Sequence, residues 1–507
     1  MDEAKRSTPL AEEPRISTGV PGLDHVLCGG LTPSRLYLLE GTPGTGKTTM
    51  ALQFLREGVA RGERALYVTL SETTEELQAA ARTHGWSLDG IDVYELVDED
   101  GLDPDSEQSI LHPSEVELGE TVREVIARVD GTKPDRVVFD SLSELRLLAQ
   151  NPLRYRRQIL ALKRFFAKRA CTVLMLDDRT SETGDVQLHS IAHGVVSLDQ
   201  APREYGPERR RLRIVKARGI RFRGGYHDFV LETGGIQVFP RLVAAEHHAE
   251  FDPRGKSTGS AELDLLLGGG LVPGTNTLLL GPSGVGKTTT AVRCMVAALD
   301  RGESATYYLF DEGLATVMAR SAALGMDLAP HVEAGRLTIT QIDPAEVSPG
   351  EFAGMARQAV EERGSTVVVI DSLNAYLHAM PGEEYLILQM HELLSYLGQQ
   401  GVTTLLVLGQ HGVVGEVRTD IDLSYLSDCI LLFRFFEAKG QIRTALSVVK
   451  SRVNAHERTI RELRFSERGL QVGEALTDFE GVLTGLPAYR GEVAMLTGPG
   501  PSEDRVR

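Results

Sequence analysis

The sequence predicts an α/β protein of two tandem domains, each a mostly parallel sheet with helices on both faces. Three observations lead there. "GTPGTGKTTM" begins at Gly41 and "GPSGVGKTTT" at Gly281, two copies of one glycine-rich loop. Residues 17–72, moved along by 240, fall on residues 257–312 without a gap, and 25 of 56 positions are identical, as expected of a duplication. Short apolar runs alternate with helical stretches in both copies, the pattern of parallel strands covered on both faces.

In order along the chain, 1–14 is polar and mixed in charge and reads as a flexible N-terminus. "STGVPGLDHVLCGGLTPSRLYLLEG" and its copy "STGSAELDLLLGGGLVPGTNTLLLG" lead from turns into an apolar strand that ends at the loop, and a helix follows. "RALYVTL" and "SATYYLF" are the next strands, and "DRVVFD" and "TVVVID" come later. The first domain spans 15–240, a linker rich in Pro and Gly spans 241–256, the second domain spans 257–472, and 473–507 reads as a flexible tail, helical at most in pieces.

At 507 residues the chain needs at least two cores, since single domains run to roughly 100–200 residues. With 42% apolar and 25% charged residues it has the make-up of a water-soluble protein, without an apolar run of the ~20 residues that span a bilayer. The N-terminal residues lack the apolar core of a secretory signal, so the cytoplasm is the expected location and a membrane is not an expected partner. Cys28, Cys171, Cys294 and Cys429 are too scattered for a zinc site or a disulfide framework, and are expected as buried small apolar residues. A net charge of −17 opposes binding of nucleic acid through the overall field.

The pattern G-x-x-x-x-G-K-[ST] lets consecutive backbone N–H groups turn inward around a phosphate. The candidate ATP-binding residues are therefore Gly44, Thr45, Gly46, Lys47, Thr48 and Thr49 in the first copy and Gly284, Val285, Gly286, Lys287, Thr288 and Thr289 in the second. Lys47 and Lys287 would meet the β- and γ-phosphates, and the hydroxyls of Thr48 and Thr288 would ligate Mg²⁺. Asp140 and Asp371, each ending an apolar run, complete the expected metal sets. Glu72, Asp311 and Glu312 are the candidates for orienting or deprotonating a nucleophile; the alternative for Ser71 and Asp311 is capping the next helix. "RIVKARG" and "SVVKSRV" place Lys216 with Arg218, and Lys450 with Arg452, at i and i+2, which on a strand face the same way. Such pairs suit a clamp on a γ-phosphate, and their distance in sequence from their own loops suggests that the phosphate belongs to a neighbouring subunit.

Repeat, loops and K-x-R pairs together resemble the KaiC family, hexameric double-domain ATPases and autokinases of the circadian clock, over about residues 15–470. The resemblance implies two RecA-like P-loop NTPase domains, a slow ATPase in the first and a Ser/Thr autokinase in the second. ATP and Mg²⁺ would be the cofactors, held between the subunits of a homo-oligomer, a hexamer. The family's paired glutamates fall on Ser71-Glu72 and Asp311-Glu312, so neither pair is intact. A family histidine beyond the clamp matches His456, with Phe222 in its place in the first domain. The phosphoacceptor pair falls on Ser424 and Tyr425, with Thr419 matching a nearby family threonine, which implies one main phosphoserine. Regulatory proteins would reach the chain through its C-terminal tail.

Two other readings use the same machinery. A DNA-repair or recombination ATPase would use the basic run Arg203 to Gly225, although that run holds only two aromatic residues, Tyr205 and Phe222, and DNA is not the expected partner. An ATP-assembled signalling scaffold without kinase activity would need neither glutamate pair.

Overall fold

The computed structural model describes residues 14–96, 113–149, 151–179, 186–203, 205–378, 385–410, 424–438, 440–466, 469–483 and 488–489. It divides into two compact units, Met1–Arg241 with Ser348–Gly354, and Leu242–Val347 with Met355–Arg507. The first holds β1 (Leu36–Gly41), β2 (Ala65–Thr69), β3 (Ile91–Glu95), β4 (Arg136–Asp140), β5 (Thr172–Asp178), β6 (Gly194–Ala201), β7 (Arg209–Ala217), β8 (His227–Glu232) and β9 (Gly235–Phe239). The second holds β10 (Asn276–Gly281), β11 (Ser304–Leu309), β12 (Leu337–Gln341), β13 (Ser365–Asp371), β14 (Thr403–Gly409), β15 (Cys429–Ala438), β16 (Gln441–Ser451), β17 (Arg461–Ser466) and β18 (Gly469–Ala475).

The sheet orders are β3-β2-β4-β5-β1-β6-β7-β8-β9 and β12-β11-β13-β14-β10-β15-β16-β17-β18, one topology drawn twice. Strands up to β6 and β15 pair in parallel, and an antiparallel meander completes each sheet. Sequence pattern explains the division. β1, β2 and β4 are buried at every residue because helices cover both faces, whereas β7 mixes buried with partly exposed positions.

Each glycine-rich loop leaves the C-terminal end of the central strand and enters a helix, Lys47–Ala60 or Lys287–Asp300. The residue before each helix, Gly46 or Gly286, sits in the left-handed region at φ 96° or 97°, where a side chain would be strained. Apolar residues of these helices fill the core between helix and sheet, Phe54 and Leu55 in one unit and Val292 and Met295 in the other.

The expected linker, 241–256, is held by hydrogen bonds to the second unit: the Ala249 N–H donates to Gln399 O at 3.1 Å, and Lys256 bridges to Leu271. Two expectations are corrected here. The segment beginning at 473 is short strands joined by turns where it is described, not helix or free tail. β18 runs to Ala475, β19 (Phe479–Glu480) pairs with β20 (Ala488–Tyr489), and Val482 is buried with Phe436 and Ala445. Three cysteines are buried, but Cys28 is exposed, because it sits at φ 52° in the turn after the short helix Leu23–Val26 and its side chain faces outward.

Candidate nucleotide sites

Both units bring the same residues to the C-terminal end of the parallel strands. In the second, a cavity of about 620 Å³ is lined by Gly284, Gly286, Lys287, Thr288 and Thr289 of the loop, with Asp311, Glu312, Arg320 and Asp371. Lys287 donates to Pro282 O at 2.7 Å, and burial pushes its ammonium down to about 8. Asp371 closes β13 and accepts from the Tyr307 hydroxyl at 3.0 Å. Burial raises its carboxyl above the ordinary range, while hydrogen bonds from Thr288 and Tyr307 act in the opposite direction.

The first unit repeats this arrangement. Asp140 closes β4 and accepts from the Tyr67 hydroxyl at 2.6 Å. Burial raises its carboxyl too, opposed by bonds from Tyr67 and Thr48. Lys47 donates to the carbonyls of Gly41 and Thr42, each at 3.0 Å, and pairs with Asp178 Oδ1 at 2.7 Å. Thr49 Oγ1 lies 3.3 Å from His84 Nε2.

The nucleophile-orienting candidates stand beside these loops, and neither Ser71 nor Asp311 caps a helix. Thr73 is the N-cap of Thr74–Thr83, in a reciprocal box with Glu76, and Gly313 precedes Leu314–Ala323 without a side-chain cap. Thr69 holds the turn that presents Glu72: its hydroxyl accepts from the Glu72 N–H at 2.9 Å and donates to Glu72 O at 2.8 Å. Burial, and then the charge of Asp140, raise the Glu72 carboxyl, which makes it a stronger proton acceptor than an ordinary glutamate. Glu312 is instead paired with Arg320 at 2.5 Å, and Asp311 accepts from the Ser372 hydroxyl.

The arginines of the cation pairs lie at the other end of the sheet, and Lys216 and Lys450 lie nearer its middle, level with Leu38 and Leu278. The Arg218 N–H donates to His193 O at 3.0 Å, and the His193 N–H to Leu36 O at 2.7 Å. Arg218 is therefore level with the first residue of β1, five residues or about 16 Å along the strand from Gly41. The Arg452 N–H donates to Asp428 O at 2.9 Å and the Asp428 N–H to Asn276 O at 3.0 Å, which sets Arg452 level with the first residue of β10. Both arginines stand just beyond the ends of β7 and β16 rather than within the strands. The first pair converges even so: Lys216 donates to His189 O at 2.5 Å and Ala192 O at 2.9 Å, and Arg218 to Ser190 O at 2.8 Å. Arg452 donates to Tyr425 O at 3.1 Å. His456 is half-buried in the loop that follows β16.

Ser424 opens the 3-10 turn Ser424–Leu426, in which Tyr425 is exposed; its side chain, and Thr419 altogether, lie outside the described residues. Part of the basic run, Arg209–Ala217, forms β7, where Arg211 and Arg213 lie over the Tyr226 ring at 5.0 and 5.4 Å from its centroid. Sequence reading missed Tyr67, Tyr307, Asp178 and Arg320. The tyrosines occupy one matched position of the repeat, and Asp178 is the second of two aspartates that follow the apolar run "TVLML". Arg320 left no such trace.

The residues present fit a nucleotide and its metal. Each unit offers a loop around a lysine and a threonine hydroxyl on a buried carboxylate, and the second adds a cavity of a size that suits a small ligand. This is a P-loop NTPase, built twice in one chain. A family model described as "ATPase: KaiC" matches it at 16–243 and again at 256–477, and the chain belongs to that family. It is 27% identical over 497 residues to "Circadian clock protein KaiC3" of Synechocystis sp., covering 96% of this chain and 97% of the relative. It is 26% identical to "Circadian clock oscillator protein KaiC" of Acaryochloris marina, at 94% and 92% coverage, and 25% identical to that of Synechococcus elongatus, at 93% and 92%. Family membership implies ATP binding and supplants the DNA-repair alternative. Among the described residues no helix is long and apolar enough to cross a membrane.

Proposed function

We propose that the chain is an ATP-driven ring protein. Its first domain is a slow ATPase, and its second is a Ser/Thr autokinase whose main acceptor is Ser424. The observation that carries this reading is the position of the cation pairs. A guanidinium some 16 Å down the sheet from its own loop cannot touch a phosphate held there, but it can serve the loop of a neighbouring copy. Lys47 and Lys287 bind the β- and γ-phosphates, and the backbone amides of the loops orient them. Glu72 and Glu312 position the attacking oxygen and accept its proton. Lys216 with Arg218, and Lys450 with Arg452, neutralise the charge that spreads over the transferring phosphoryl group. Thr48 with Asp140, and Thr288 with Asp371, would hold Mg²⁺, which supplies charge neutralisation at the phosphates. That its relatives are circadian clock proteins supports a role in timing or signalling.

One observation favours a second reading, a scaffold assembled by ATP: Glu312 is tied to Arg320. Incubation with γ-labelled ATP separates the two. The kinase labels the intact chain, and the label falls in Ser424→Ala and Glu312→Gln; an unlabelled intact chain favours the scaffold. Particle mass with and without ATP and Mg²⁺ tests the ring itself.

A further inference from the structure

The first phosphate loop carries a carboxylate that the second does not. Asp178 closes β5 level with Gly41, and Gly409 holds the same register position beside Gly281. A lysine ammonium has three donors. Lys47 gives two to the carbonyls of Gly41 and Thr42, and Asp178 takes the third at 2.7 Å. The lysine side chain is 9% exposed and that of Asp178 29%, so the carboxylate is the more accessible partner of the pair. Its neighbours are also acidic: the charge of Asp178 contributes to raising the carboxyls of both Glu72 and Asp140. A triphosphate approaching Lys47 therefore meets an anion that already holds the lysine and adds to the local negative charge.

We propose that Asp178 is an affinity-setting counter-ion of the first site. Triphosphate must displace it from Lys47, which lowers the affinity of the first site, while Gly409 places no carboxylate at the matching position beside Gly281. This rests on reading both loops as ATP sites.

The test uses the full chain with one loop silenced at a time and a fluorescent ATP analogue with Mg²⁺ as probe. In a Lys287→Ala background, Asp178→Asn should bind about five- to tenfold more tightly than its parent, with the gain shrinking at high salt. In a Lys47→Ala background, Gly409→Asp should weaken binding by a similar factor. Unchanged or weaker binding by Asp178→Asn overturns the proposal, as does unchanged binding by Gly409→Asp. If neither Asp178→Asn nor its parent binds the probe, the reading of the first loop as an ATP site fails and this inference fails with it; equal binding by both defeats the inference alone.

Discussion

Replacing Tyr307 by Phe removes a single hydroxyl from beside Asp371 and leaves the ring, which is buried in the core of the second unit, in place. Asp371 is 8% exposed, and the hydroxyl lies 3.0 Å from Oδ2. A hydrogen bond to a charged group contributes about 1.5–3 kcal/mol, and phenylalanine loses little packing, so unfolding of the second unit should become easier by about 2 kcal/mol. Tyr67→Phe should cost the first unit at least as much, since its hydroxyl lies 2.6 Å from Asp140. The sign of the pH dependence follows from burial. Asp371 already has a folded-state pKa above its ordinary value, and removing a donor to the carboxylate raises it further. The folded state then holds more protons than the unfolded one, so the ionised form bears the cost. The loss is complete above the folded pKa and shrinks as pH falls through it. Urea unfolding without divalent cations, at about pH 8 and at a descending series of pH values, measures both effects. A loss that does not shrink anywhere as pH falls, or no loss at all, refutes the reasoning.

Two further outcomes concern the loops. Burial sets the Lys287 ammonium at about 8, and a triphosphate favours its charged form. Binding at the second site should take up protons and weaken about tenfold per pH unit above that value, which calorimetry of Lys47→Ala in buffers of different ionisation enthalpy will show; no proton uptake contradicts it. Glu72→Gln and Glu312→Gln should each lower turnover of their own domain by about 100-fold or more while retaining nucleotide, and unaltered turnover removes that glutamate from the chemistry.

Much of this was legible in the residues. The loops, Asp140 and Asp371 announce themselves because a glycine-rich turn between strand and helix and a carboxylate after an apolar run are local patterns, and duplication repeats each one. Lys216 and Lys450 were legible through strand alternation, although Arg218 and Arg452 stand past the strand ends, where alternation no longer applies. Arg320 was not legible: its partner Glu312 is two turns of chain away across a helix start, and no repeat copy marks it. The ordered strands after 473 were hidden because a two-residue strand such as β20 is too short to show a period, and its partner is fixed by tertiary packing around Phe436.

The most direct measurement mixes two defective chains, Lys450→Ala with Arg452→Ala in one and Lys287→Ala in the other. If a neighbour supplies the cations, each boundary that joins an intact loop to an intact pair regains turnover, and co-assembled particles hydrolyse ATP faster than either parent. Turnover that stays at the parental level, in particles shown to contain both chains and with ATP still bound by the clamp-defective one, would contradict the intersubunit clamp.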